Sequence, residues 1–354
     1  MVARKQISDT LKSDKRGACI KQAESGLFCP DPKPDLDNAN VGIQTAKIAS
    51  NARTCLYEGK SAFYLLEVKT QANAYLKGAI FMLGTCLENV RKNVPLVHNI
   101  TNYVTVNDVA NALLACGGSP IMSDEPEDVE DITSICGGLN INIGTLNARS
   151  IEGMKRAAAK AQELGHTITL DPVGAGASRL RTNTALDLMN ATKFSAIRGN
   201  ISEIKTLALG SGTTKGVDAD IADTVTDNTL SAAVDFAKNF AAEHDCIVAI
   251  TGAIDLVSSA DECYVIRNGR AEMSKITGTG CQLSAVLCAY LVANPENQLE
   301  AAAAAVCSMG LAGEIAWSRM QSGDGNSTYR NRIIDALYNM TAEQLDEGAR
   351  FELR

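Results

Sequence analysis

Apolar and polar positions alternate with two different periods along most of this chain, and each change of period marks an element. From about residue 76 onward, short apolar runs alternate with amphipathic stretches. The runs "LNINI" 139–143, "HTITL" 166–170, "FSAI" 194–197 and "CIVAI" 246–250 read as strands. Between and after them, apolar residues at helical spacing predict helices over 150–165, near 183–191, near 201–209 and over 230–243. This rhythm predicts an α/β fold with a mostly parallel central sheet layered between helices. Past residue 250 the rhythm changes. "IDLVSS", "CYVIRNG" and "AEMSKI" read as short alternating strands, with Asn268-Gly269 as a type I′ hairpin turn, and everything after 281 reads as helix.

Residues 1 to about 75 show no clear periodicity and contain the proline- and aspartate-rich "CPDPKPDLDNAN". They are expected to form a poorly ordered N-terminal extension, leaving 76–354 as a single domain. The first residues lack the apolar centre of a secretory signal. The apolar stretches further on read as too short or too interrupted to span a membrane.

Composition narrows the classes. Charged residues make up 21% of the 354 and the net charge is −8, so there is no basic footprint for nucleic acid or an anionic membrane. The eleven cysteines form no CxxC pair and several lie in apolar runs, as buried thiols of a cytoplasmic protein do. The three histidines have no zinc-ligand spacing.

The chemistry gathers where strands end. "LNINI" runs into Gly144-Thr145, "HTITL" into "DPVGAG", "FSAI" into Arg198-Gly199-Asn200 with Glu203 a turn later, and "CIVAI" into Thr251-Gly252. In an open α/β sheet, ligands bind outside the carboxyl ends of the strands. Asp171 and Glu203 are hard oxygen donors suited to Mg²⁺, and Arg198 can fork onto a phosphate. Lys275 reads as a solvated side chain. In "KITGTGCQLS", Leu283, Val286, Leu287, Tyr290 and Leu291 follow the glycines at the spacing of one helix face. Gly278-Thr279-Gly280 therefore opens a helix whose free N–H groups favour an anion, and the same field should lower the pKa of Cys281 toward thiolate.

Taken together, "PLVHNITNYV" 95–104, "GGSPIMSDEPEDVED" 117–131, "LNINIGTL" 139–146, "LDPVGAGA" 170–177, "AIRGNISEI" 196–204, "VAITG" 248–252 and "ITGTGC" 276–281 closely resemble the hydroxyethylthiazole kinases of the ribokinase-like superfamily. The resemblance spans about three quarters of the 354 residues and has no counterpart for residues 1 to about 75. It implies a ribokinase-like fold and ATP-dependent, Mg²⁺-assisted phosphorylation of the alcohol of 4-methyl-5-(2-hydroxyethyl)thiazole for thiamine biosynthesis. It also implies ATP contacts at Arg198, Thr251 and Gly280, thiazole contacts at Asn102, Met122 and Gly278, and a magnesium-associated pair at Asp171 and Glu203. Without it, Met122 would read as core and "NITN" as a polar turn before a helix.

The resemblance further implies a homotrimer with sites at subunit interfaces, in which His98 and Asn99 would reach a neighbour's pocket. Thr279 stands where alanine is common, and "GDGNS" 323–327 lacks a proline often found after its first glycine. Most superfamily members carry aspartate at the position of Cys281, whereas thiazole kinases commonly carry cysteine, which would orient or deprotonate the substrate hydroxyl. Related kinases of hydroxymethylpyrimidine and the ATP-dependent NAD(P)H-hydrate dehydratases would be expected to show that aspartate. A cysteine-nucleophile hydrolase would need His98 as its base, and a non-catalytic nucleotide-binding regulator would be expected to have lost a motif.

Overall fold

The computed structural model describes residues 83–210 and 225–354. The expected extension over 1–75 lies outside the described residues. Six strands are parallel: β1 (Leu96–Ile100), β2 (Ser119–Met122), β3 (Gly138–Asn142), β4 (Thr167–Asp171), β5 (Ala196–Asn200) and β6 (Ile247–Thr251). Antiparallel β7 (Asp255–Ser258), β8 (Cys263–Ile266) and β9 (Phe351–Leu353) extend the same sheet. The spatial order is β2-β1-β3-β4-β5-β6-β7-β8-β9. The chain moves outward from β1 to β2, then returns to place β3 on the other side of β1. This reversal opens a crevice between the carboxyl ends of β1 and β3, the place where such sheets bind ligands.

Helices cover both faces. One face is packed by α1 (Leu83–Asn93), α2 (Val106–Cys116), α8 (Thr279–Ala293), α9 (Gln298–Ser318), α10 (Asn326–Asn339) and α11 (Ala342–Gly348). The other is packed by α3 (Val129–Ile135), α4 (Ala148–Glu163), α5 (Arg179–Ala191), α6 (Ile201–Gly210) and α7 (Leu230–His244). Local chemistry sets several boundaries. Asn147 and Ser150 form a reciprocal capping box at the start of α4, and the Ser178 side chain accepts the Arg181 N–H at the start of α5. Such caps each contribute about 1 kcal/mol. β3 is buried at all five positions, as a central parallel strand must be, which is why its sequence lacks strict apolar alternation.

Five expectations need correction. Residues 271–275 form a 3₁₀ turn, not a strand. Asn268 and Gly269 close no hairpin: Asn268 Nδ2 donates to Gly348 O (2.9 Å), and Gly269 N donates to Glu314 Oε1 (2.6 Å) on α9. The segment after 281 is helical except at β9, which pairs with β8. α8 is buried around nearly its whole circumference because it packs across β1, β3 and β4 under α9, so one apolar face understates it. Finally, α9 is long and apolar enough to cross a membrane by length and composition, but 78% of its apolar window is buried inside this fold. It is a core helix by packing.

Candidate active site

The glycine turn opens a helix as its sequence predicts. Gly278 is the N-cap of α8 with φ of +84°, a conformation that side-chain-bearing residues rarely adopt. A Cβ there would also collide with the side chain of Thr105, the N-cap of α2. Gly280 matters for a different reason: a Cβ at that position would overlap the guanidinium of Arg198. The turn thus lies against a cation from β5, at the end of a helix whose first N–H groups have no partner within the helix.

Arg198 is held by two partners. Its Nη2 donates to Thr251 Oγ1 (2.5 Å), and Nη1 stands 3.7 Å from Asp171 Oδ1. Its Nε has no partner. Asp171 is fully buried at the end of β4. Asn142 Nδ2 (2.8 Å) and Ser284 Oγ (2.7 Å) both donate to its Oδ2, while Oδ1 accepts no hydrogen bond. Burial pushes the carboxyl up to about 6. Arg198 and the Ser284 and Asn142 bonds oppose that shift, and the charge of Glu203 adds to it.

Cys281 sits on the first turn of α8, buried, with Asn102 Nδ2 3.2 Å from its sulfur. The expected depression of its pKa is not found. Burial and then the negative charge of Asp171 raise the thiol above its ordinary value, only partly offset by Thr105, Asn142 and Asn102. Desolvation of a thiolate outweighs the helix field when the sulfur is removed from water beside a carboxylate. At neutral pH the group is a thiol.

Glu203 also joins two segments of the chain. Its Oε1 accepts the Gly174 N–H (2.9 Å) and its Oε2 accepts the Asn200 N–H (2.8 Å), while Asn200 Oδ1 accepts the Glu203 N–H (2.8 Å). It pins the "DPVGAG" loop to the start of α6. Met122 is half-buried on β2 and packs at the margin of the core. Lys275 is exposed, as expected.

His98 and Asn99 do not reach outward. Both are buried. The His98 ring nitrogens contact Thr133 Oγ1 and Ser123 O (both 2.9 Å). Asn99 Nδ2 donates to Val97 O (2.9 Å), and its Oδ1 accepts from Asn140 Nδ2 (3.1 Å). Their polar atoms satisfy the sheet interior, which corrects the expectation that they enter a neighbour's pocket and leaves Cys281 without a histidine base in His98. His166 and His244 precede β4 and β6 at the opposite edge of the sheet. A cavity of about 410 Å³ lined by Met189, Lys193, His244 and Cys246 also lies at that edge and contains none of the strand-end residues.

Four residues at the crevice were not singled out from sequence: Thr105, Asn142, Ser284 and Asp255. Asn102 Oδ1 accepts from Thr105 N (3.2 Å) and Thr105 Oγ1 (3.0 Å). Asp255 Oδ1 accepts the Gly252 N–H (2.8 Å), and burial pushes this carboxyl up to about 7, with the Gly252 bond and Arg198 opposing. Asn142 lay in plain view in "LNINIGTL", but a buried asparagine in a strand has no sequence signal that separates sheet filler from site. Among the described residues no group of three or more His, Cys, Asp or Glu side chains converges, so any metal here depends on substrate oxygens and water to complete its shell.

Comparison with solved structures defines the class first. A Staphylococcus aureus pyridoxal kinase in complex with ADP aligns with a TM-score of 0.50 over 73% of this chain and 97% of its own, at 15% identity, and bears on the fold alone. The hydroxyethylthiazole kinase protein of Pyrococcus horikoshii OT3 aligns with a TM-score of 0.69 at 32% identity, covering 77% of this chain and 98% of that one. The fold is ribokinase-like, with the glycine turn at the crevice of its parallel sheet.

The sequence then gives the family. A hydroxyethylthiazole kinase of Clostridium acetobutylicum is 58% identical over 271 residues, 77% of this chain and 99% of that relative. One from Clostridium tetani is 43% identical over 261 residues, 74% of this chain and 94% of its own length. The hydroxyethylthiazole kinase family model matches residues 87–343, and the chain belongs to that family.

Proposed function

We propose that this chain transfers the terminal phosphoryl group of ATP to the primary hydroxyl of 4-methyl-5-(2-hydroxyethyl)thiazole, giving the thiazole phosphate used in thiamine biosynthesis. The observation that carries this reading is the convergence of a helix-opening glycine turn, Cys281, Arg198 and the free Oδ1 of Asp171 at one strand-end crevice. Phosphoryl transfer through a loose transition state asks for positioning and charge stabilisation, and these groups supply both. The N–H groups of 278–281, Gly280 among them, receive the transferring phosphoryl. Arg198, steadied by Thr251, meets the phosphate charge. Asn102, Met122 and Gly278 border the thiazole.

Cys281 as a neutral thiol orients the hydroxyl, whose proton passes to an oxygen of the transferring phosphoryl group late, when the hydroxyl oxygen is already bonding to phosphorus. Loss of such orientation costs on the order of 10²-fold. The residues also fit Mg²⁺. Asp171 Oδ1 is a hard buried oxygen without a hydrogen-bond donor, and Mg²⁺ commonly takes one or two carboxylates beside substrate phosphates. Asp171 would hold it, with Glu203 adding negative charge nearby, and the bound ion would neutralise phosphate charge.

The same reading takes the enzyme as a cytoplasmic homotrimer with sites at subunit interfaces. Exposed Tyr103, Val104 and Val106 support it, an apolar stretch directly after Asn102 that a neighbouring subunit would cover. ATP consumption by the full chain, with the thiazole alcohol and hydroxymethylpyrimidine as alternative acceptors, tests the activity. Turnover of the thiazole is expected, and turnover of the pyrimidine alone would overturn the assignment. Cys281→Ala is expected to lower kcat by about 10²-fold. An unchanged kcat would remove the thiol from the mechanism.

A further inference from the structure

The two oxygens of Asp171 have different surroundings. Oδ2 receives Asn142 Nδ2 from the end of β3 (2.8 Å) and Ser284 Oγ from the second turn of α8 (2.7 Å). Oδ1 receives no hydrogen bond and stands 3.7 Å from Arg198 Nη1. Two donors from two separate elements fix the plane of the carboxylate as well as its position.

The direction of the Asn142 amide is fixed in turn. Its Oδ1 accepts the Gly144 N–H (2.9 Å) and Asn102 Nδ2 (3.1 Å). Reversing the amide would set its NH₂ group against two donors, so Nδ2 must point at Asp171. Asn102 is locked in the same way, because its Oδ1 accepts both the backbone N–H and the hydroxyl of Thr105. Its Nδ2 is left to serve Asn142 and the Cys281 sulfur. Thr105, Asn102, Asn142 and Asp171 thus form one directional chain of side chains, all buried. The bonds satisfy every polar link of the chain up to Asp171 and leave one particular oxygen of that carboxylate without a donor.

We propose that Asn142 and Ser284 are positioning residues for phosphoryl transfer, clamping Oδ2 of Asp171 so that Oδ1 alone faces the metal and phosphate. The amide chain ties this orientation to the Cys281 sulfur, so that the group meeting the hydroxyl and the group meeting the phosphate keep a fixed relation. The assignment rests on the reading of Asp171 as the magnesium-facing carboxylate.

The test uses the full chain with Ser284→Ala, which removes one donor while keeping a helix-forming residue, and Asn142→Ala, which removes the other from a different element. Steady-state kinetics are read alongside Mn²⁺ affinity, measured by electron paramagnetic resonance in the presence of ADP. Each variant is expected to lose about tenfold in kcat and about tenfold in Mn²⁺ affinity, with KM for the thiazole alcohol unchanged. Asp171→Asn runs in parallel and is expected to lose Mn²⁺ binding altogether. Retention of wild-type kcat and Mn²⁺ affinity by folded Ser284→Ala, while Asp171→Asn loses both, would overturn the clamp and leave the metal reading standing. Wild-type Mn²⁺ affinity in Asp171→Asn would instead overturn the metal reading, and the clamp with it.

Discussion

The pocket around Asp171 and the loop junction around Glu203 each place one carboxylate at the same edge of the sheet, yet they are built in opposite ways. Asp171 is closed off from water, has one oxygen doubly bonded by side chains and keeps the other free. Glu203 is half-buried and gives both oxygens to backbone N–H groups of neighbouring segments. One carboxylate keeps an oxygen without a hydrogen-bond donor; the other ties neighbouring segments through both oxygens. The difference teaches that acidity and position identify candidates, while the hydrogen bonds at each oxygen distinguish how two carboxylates at one edge are held.

Substitutions can break that contrast. Asp171→Asn keeps the shape and removes the charge, and it should cost on the order of 10²–10³-fold in kcat, with little loss of folding stability because the penalty of burying a charge disappears too. Glu203→Gln should do the reverse. It replaces one acceptor with an NH₂ group facing a backbone donor, costing about 1–3 kcal/mol and so lowering Tm by several degrees, with kcat reduced less than about tenfold. Equal losses of kcat in the two variants would erase the distinction.

The smallest expected effect concerns Asp255, a third carboxylate that is half-buried, faces Arg198 and lies near Cys307 of α9. Its pKa in the folded protein is raised to about 7 from the ordinary 3.8, so the folded state binds this proton more tightly than the unfolded chain does. Its contribution to stability is complete below about pH 4 and is lost as pH rises through about 7. Thermal melts of the unliganded enzyme should therefore decline between about pH 5 and pH 8, and Asp255→Asn should flatten that decline. An identical slope in the variant would show that Asp255 does not titrate in this range.

The alternation of strand and helix from β3 to β6 could be read from sequence within a few residues, because those elements are long enough to show a period. β2 could not. It is four residues long, carries Pro120 and lies at the edge of the sheet, where a missing N–H costs no ladder bond. "AEMSKI" alternates like a strand, but its neighbours Asn268 and Gly269 find their partners on α9 and at residues 348–350, and no local pattern announces contacts so distant in sequence. The candidate site divides along the same line. Asp171, Arg198, Thr251, Gly278 and Cys281 stand at strand ends or in the glycine turn, where sequence position implies spatial position. Asn142 ends β3 inside an apolar run that reads as plain strand, and Ser284 sits within α8, so only the three-dimensional register turns their side chains onto one oxygen. The raised pKa of Cys281 was hidden for a related reason: the helix field is visible in the glycine turn, but the burial and the neighbouring carboxylate that overcome it are not.

Gly280 and Arg198 are 82 positions apart, yet each sets what the other can be. Gly280 has no positive φ to excuse it, and the space a Cβ would need is filled by the end of a flexible arginine side chain. Alanine at 280 would evict the guanidinium from Thr251 without straining the helix. In a chain whose residue 198 is small, the same alanine would be neutral or mildly favourable to α8. The pair is thus epistatic by construction, and the order in which its two members change decides whether an evolving lineage passes through a damaged enzyme.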